Sequence, residues 1–277
     1  MAFTAADVKA LRESTGAGML DCKKALQQAD GNMAEAEKIL KEKGLAAMAK
    51  RSDRATAEGR IVAKRDGNKI AIVEVTCETD FVSNNADFGA VAEKAAEITM
   101  AAGKSGATDE HKALIDEIAI KFRENMSVRR AEFIEVPANA AAATYVHFNN
   151  KIGSVVVIEG SDKDEVKAFA NECCLHLAAY TPSYVRKEEV PQSFIDEQRE
   201  IFASQMAADP KMESKPQNVK DGILQGKVTK LLDEICFVDQ KFINDEKVSV
   251  EKKLEELSKT VGAKLSFAKV ILFVLGK

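Results

Sequence analysis

Histidine is scarce in this chain, and no catalytic signature surrounds the three that occur, His111, His147 and His176. The sequence contains no HExxH, CxxC or GxSxG pattern, and no GxxxxGK[ST] or GxGxxG phosphate loop. Gly103-Lys104-Ser105-Gly106 has the ending of a phosphate loop, but it lacks the upstream glycine and follows a helix instead of a strand. Cys174 and His176 are two residues apart, so on one helix they cannot face each other as nucleophile and base. His111 falls in a polar helix and is expected at the surface. His176, among Cys173, Cys174 and Leu177, is expected to pack. These absences favour a binding protein over an enzyme.

Other shortages narrow the setting. The five cysteines form an odd, scattered set, which suits reduced thiols in cores better than a disulfide or zinc framework. Residues 1–9 carry charge and lack the apolar stretch of a signal peptide. The apolar run at 265–275 is interrupted by Lys269 and is far shorter than the ~20 residues of a membrane span, so a buried strand is expected there. A soluble cytoplasmic protein is the expectation. The net charge of -4 leaves no basic excess, which argues against a dedicated nucleic-acid binder.

What is present reads as an α+β protein. At 277 residues, two or three modules are expected. Thr4 caps a first helix, with Asp7 near its N-terminus and Val8, Leu11 and Arg12 at helical spacing. Thr15-Gly16-Ala17-Gly18 makes a turn. A second helix carries Met19, Leu20, Cys22, Ala25 and Leu26, and a third, with Ile39 and Leu40, ends near Gly44. Residues 45–58 form a linker whose Lys50, Arg51 and Arg54 read first as a solvated face and second as an RNA contact.

A strand–turn–strand unit follows at 59–75, around the hairpin signal Asp66-Gly67-Asn68, and then a helix with Phe88, Val91 and Ala95. The same order returns at 143–159, followed by a helix with Val166, Phe169, Cys173 and Leu177. One hairpin-plus-helix unit is thus used twice, as helices packed on antiparallel sheets. Pro182, Pro191, Pro210 and Pro216 punctuate two amphipathic helices that read as an inserted antiparallel hairpin, an arm. The expected division is a three-helix module with linker at 1–54, a first core half at 55–140 and a second at 141–277, with the inserted hairpin at about 187–238.

One stretch draws attention. Thr79-Asp80-Phe81-Val82 falls between a strand and the next helix, where loops held by rigid elements concentrate function. The ring of Phe81 could anchor in an apolar slot of a partner, with Asp80 competing at a cation or phosphate site. Alternatively, Phe81 fills its own core and Asp80 caps the next helix.

The segment from Glu74 to Val82 resembles the signature of the translation elongation factor Ts family, with Thr76 where asparagine is usual. Residues 11–26, Leu-Arg-Glu-Ser-Thr-Gly-Ala-Gly-Met-Leu-Asp-Cys-Lys-Lys-Ala-Leu, are similar to that family's first-module motif. Further matches are residues 124–130, the Tyr145-Val146-His147 strand and Phe242-Ile243-Asn244-Asp245. The departures are Phe148 in place of a small residue, Lys241 in place of proline, and a diverged arm.

The resemblance implies a UBA-like first module and a coiled-coil arm. It also implies guanine-nucleotide exchange on the GTPase EF-Tu. In that reading Thr79, Asp80, Phe81 and Val82 disturb the partner's Mg²⁺ site. Arg12 and Met19 grip its nucleotide-binding domain, and His147 faces another of its domains. No cofactor, metal, membrane, nucleic acid or direct nucleotide binding is expected, and the arm is a candidate for self-association. The competing expectations are a generic adaptor, an enzyme with an unrecognised site, and an RNA-binding factor.

Overall fold

A computed structural model describes residues 3–277, which form two compact units. One comprises the chain up to Val136 together with Val146–Gly153 and Phe273–Lys277; the other comprises Pro137–Tyr145 and Ser154–Leu272.

The first unit begins with three helices, α1 (Ala5–Thr15), α2 (Met19–Gln28) and α3 (Met33–Ala49). The Thr4 side chain accepts from the Asp7 N–H and the Asp7 carboxylate accepts from the Thr4 N–H, so two otherwise unpaired donors are satisfied reciprocally. Val8, Leu11, Cys22, Ala25, Leu26, Ala36 and Leu40 fill a small core. α3 does not end near Gly44 but continues to Ala49. Gly44 is a close-approach residue, since a Cβ there would lie 2.5 Å from Ile120 Cγ1. Two of the basic side chains that follow have internal partners: Arg51 donates to the Arg123 carbonyl at 2.8 Å, and Arg54 pairs with Glu78 at 3.2 Å.

Strands β1 (Glu58–Asp66) and β2 (Lys69–Cys77) form the expected hairpin around Gly67. Helices α4 (Asp80–Ser83), α5 (Ala86–Ala102) and α6 (Asp109–Phe122) precede β3 (Ser127–Glu135), giving an antiparallel sheet of order β1-β2-β3. Central β2 is buried from Ile70 to Cys77. Val73, Val75 and Cys77 join Phe88, Ala92 and Ala95 of α5 in one core. Gly59 (φ 151) leaves no room for a side chain, because a Cβ would meet the Val75 carbonyl oxygen at 2.1 Å.

His111 is buried, contrary to the surface position expected of it. Nδ1 accepts from the Thr108 N–H at 3.0 Å, which leaves Nε2 to donate to the Ala95 carbonyl at 3.0 Å. The ring completes the N-terminal cap of α6 and so turns inward, out of the polar face.

The second unit repeats the plan with most of β4 (Ala140–Val146) and β5 (Ile152–Glu159) and with α7 (Asp164–Tyr180). α8 (Gln192–Ala207), α9 (Pro210–Glu213) and α10 (Gln217–Ile235) follow, then β6 (Lys241–Phe242), β7 (Asp245–Ser249), α11 (Val250–Val261) and β8 (Ser266–Val274). The main sheet has the order β4-β5-β8. The run at 265–275 forms the expected strand, but β8 is an edge strand and is only partly buried. Phe169, Cys173, Leu177, Phe237, Phe242 and Leu254 pack this unit's core.

His176 packs as expected. It meets Gln240 Oε1 at 2.9 Å through Nε2 and accepts from the Ile243 N–H through Nδ1, and burial lowers its pKa. α8 and α10 run antiparallel, tied by Arg199–Gln225 at 3.0 Å; near the start of the hairpin Lys187 bridges Asp233 and Asp239. Among the described residues, no helix is long and apolar enough to cross a membrane.

Candidate partner-binding site

The stretch after β2 forms α4, a helix of only four residues, and the fold holds it at both ends. Thr79 is its N-cap, and the Thr79 hydroxyl accepts from the Val82 N–H at 3.4 Å. Asp80 therefore caps neither α4 nor the next helix, α5, whose N-cap is Asn85; it occupies the first turn of α4, where a negative charge suits the helix N-terminus. At the other end the Arg60 side chain of β1 donates to the Ser83 carbonyl. Val82 is buried in the core with Phe88, so its side chain anchors the turn from within. Asp80 is exposed, and Phe81 is 86% exposed. The alternative in which Phe81 fills its own core is excluded by that exposure.

Glu124, just past α6, accepts from the loop three times. Its Oε2 takes the N–H groups of Glu78 (3.0 Å) and Thr79 (3.1 Å), and its Oε1 takes the Thr79 hydroxyl at 2.6 Å. Glu78 answers by accepting from the Asn125 N–H at 2.7 Å. That bond, with the Arg54 guanidinium, holds the Glu78 carboxyl below its usual range.

The other predicted residues lie elsewhere in the same unit. Arg12 is exposed near the end of α1. Met19 opens α2 and is 53% exposed; the next residue, Leu20, is 73% exposed. Asp21 pairs with Arg123 at 3.0 Å, tying α2 to the end of α6. His147 is half-buried and lies in the turn after β4, not in the strand; its ring is 4.5 Å from that of Phe148, itself 87% exposed. This turn is held to β1 by the Ile61 N–H, which donates to the Asn150 carbonyl at 2.7 Å. Adjacent residues of β1, Arg60 and Ile61, thus brace the turn carrying Phe81 and the turn carrying His147. Among the described residues, no group of three or more His, Cys, Asp or Glu side chains is placed to hold a metal.

Comparison with known proteins decides the family. A family profile described as Elongation factor TS matches residues 78–277. Over its full length the chain is 47% identical to Elongation factor Ts of Treponema denticola, of which it covers 99%. It is 42% identical to that of Treponema pallidum, again with all of this chain and 99% of the relative aligned. Elongation factor Ts of Clostridium acetobutylicum is 37% identical, over 99% of this chain and 93% of its own. The chain belongs to the elongation factor Ts family. It is therefore a translation elongation factor. The profile begins at Glu78, the first residue of the loop that leads into α4, and the full-length relatives carry the family relationship through the helical module at α1–α3.

The places of two further residues, Leu20 and Glu124, emerge only from the structure. Leu20 stands among the apolar residues of α2, yet it is two positions from buried Cys22, and residues two apart on a helix point different ways. That spacing could have marked it as outward-facing. Glu124 opens the matching segment 124–130, but it lies 45 residues from Thr79, and nothing local in the sequence shows that its carboxylate holds that loop.

Proposed function

We propose that this chain acts as a guanine-nucleotide exchange factor for EF-Tu and carries out no bond chemistry of its own. The observation that carries the reading is the exposed ring of Phe81, displayed on a short helix fixed at both ends. A large apolar side chain held in water has a standing hydration cost that a partner's pocket would remove. In this reading Phe81 wedges into the GTPase near its Mg²⁺ site. Asp80 beside it brings a negative charge toward a cation whose own task is to neutralise phosphate oxygens. Weakening the grip on metal and phosphates releases GDP, and GTP then rebinds.

The remaining exposed residues extend the same face. Arg12, Met19 and Leu20 would grip the nucleotide-binding domain, and His147 with Phe148 would meet another domain of the GTPase. Val82 acts from inside, as the anchor of the wedge. The helical module at 1–54, the core halves at 55–140 and 141–277 and the hairpin at about 187–238 serve as the working division of labour, with the hairpin available for self-association. A cytoplasmic location follows from the role in translation.

Exchange of this kind is thermodynamic linkage. A factor that favours the nucleotide-free GTPase lowers nucleotide affinity, and nucleotide lowers the factor's affinity by the same ratio. The purified complex with EF-Tu is therefore expected to come apart on gel filtration when either GDP or GTP is added. A complex that survives saturating amounts of both would contradict the proposal.

A further inference from the structure

A helix of four residues is not stable by itself, because the first turn fixes many dihedrals in return for few hydrogen bonds. Something outside α4 must hold it. Glu124 supplies the N-terminal restraint through the Thr79 hydroxyl. That hydroxyl has one proton, and giving it to Glu124 Oε1 at 2.6 Å leaves a lone pair facing the Val82 N–H. The two N–H groups donating to Glu124 Oε2 fix the backbone just before the cap. Glu78 closes the circuit back to Asn125, so two loops far apart in sequence lock each other. With Val82 buried and Ser83 held by Arg60, the freedom that remains to this turn belongs to the side chains of Asp80 and Phe81.

The geometry points to Glu124 as a positioning residue for exchange: its carboxylate sets the Thr79 hydroxyl and, through it, the turn that presents Phe81. This builds on the exchange activity proposed above. Glu124 need not touch the GTPase; it acts by presenting the ring already ordered, so that binding does not have to supply the ordering entropy.

The test is stopped-flow release of a fluorescent GDP analogue from EF-Tu. It compares the intact chain with Glu124→Ala, Glu124→Gln, Thr79→Val, Phe81→Ala and the double variant Glu124→Ala/Phe81→Ala. Glu124→Ala and Thr79→Val are each expected to slow exchange about tenfold or more, because binding would then have to supply the ordering of the turn. Glu124→Gln is expected to keep exchange within about threefold of intact, because its amide carbonyl still accepts the two N–H groups and its NH₂ can donate to the Thr79 hydroxyl.

The double variant is expected to match Phe81→Ala within about twofold, since two residues acting through one element do not add. The Val82 amide should also exchange its hydrogen faster in Glu124→Ala while Val73 and Val75 keep their protection. Intact rates for Glu124→Ala or Thr79→Val, or a double variant carrying the full product of both losses, would overturn the assignment. Should Glu124→Ala fail to fold, Thr79→Val and Glu124→Gln decide alone. Failure of the intact chain to speed release brings down the exchange reading itself. Failure of the assignment alone shows as an active intact chain with fully active variants.

Discussion

Phe81 and Phe88 are seven positions apart and have opposite fates. The ring of Phe88 is wholly buried under the sheet of the first unit, whereas that of Phe81 stands in water. Burying such a side chain is worth about 1.5–3 kcal/mol, so leaving one exposed at a fixed place is a cost to the isolated chain. Substitution should separate the two roles. Phe88→Ala is expected to destabilise by about 3–5 kcal/mol through lost burial and a residual cavity. Phe81→Ala is expected to move the thermal midpoint by no more than about 2 °C, as befits a surface position. Differential scanning calorimetry of both variants checks this; a large drop for Phe81→Ala would return the ring to the core. Sequence alone could not choose between these readings of Phe81, because Phe81, Val82 and Phe88 are all apolar and only the fold shows that the last two enter the core.

At the scale of elements, much was legible locally. Asp66-Gly67 announced the first hairpin and Thr4 the first helix cap, because those signals depend on neighbouring residues alone. The rest depended on distant partners. α3 ran on past Gly44 because that glycine makes room for Ile120 of α6. His111 turned inward because Ala95 offers a carbonyl from α5.

His176 on α7 makes a prediction of its own. Burial depresses its folded pKa below the ordinary histidine value of about 6.5. The unfolded chain therefore binds a proton that the folded chain does not, in the window from about 6.5 downward to the folded value. This contribution leaves stability untouched above that window and lowers it as pH falls through it. Urea midpoints measured from pH 8 to pH 5 should decline more steeply for the intact chain than for His176→Gln. Parallel slopes would place the proton uptake elsewhere.

Across the whole molecule, the residues assigned to the partner surface come from stretches far apart in sequence: α1 and α2, the Phe81 turn, and the turn at His147. All of them belong to the first unit. The chain closes on that unit as well. Buried Glu74 accepts from Arg129 at 3.0 Å, from Arg130 and from the Gly276 N–H at 3.1 Å, while the Arg130 guanidinium lies 4.1 Å from the Phe273 ring centre. A surface assembled in this way calls for a rigid frame, and β1 supplies part of it through Arg60 and Ile61.

The most direct test of the account is GDP release from EF-Tu, followed by stopped flow with the intact chain, with Phe81→Ala and with neither. The account predicts that the intact chain accelerates release and that Phe81→Ala retains no more than about a tenth of that acceleration, the loss expected of an interface anchor. Equal acceleration by both proteins would contradict the wedge, and no acceleration by either would contradict the exchange function.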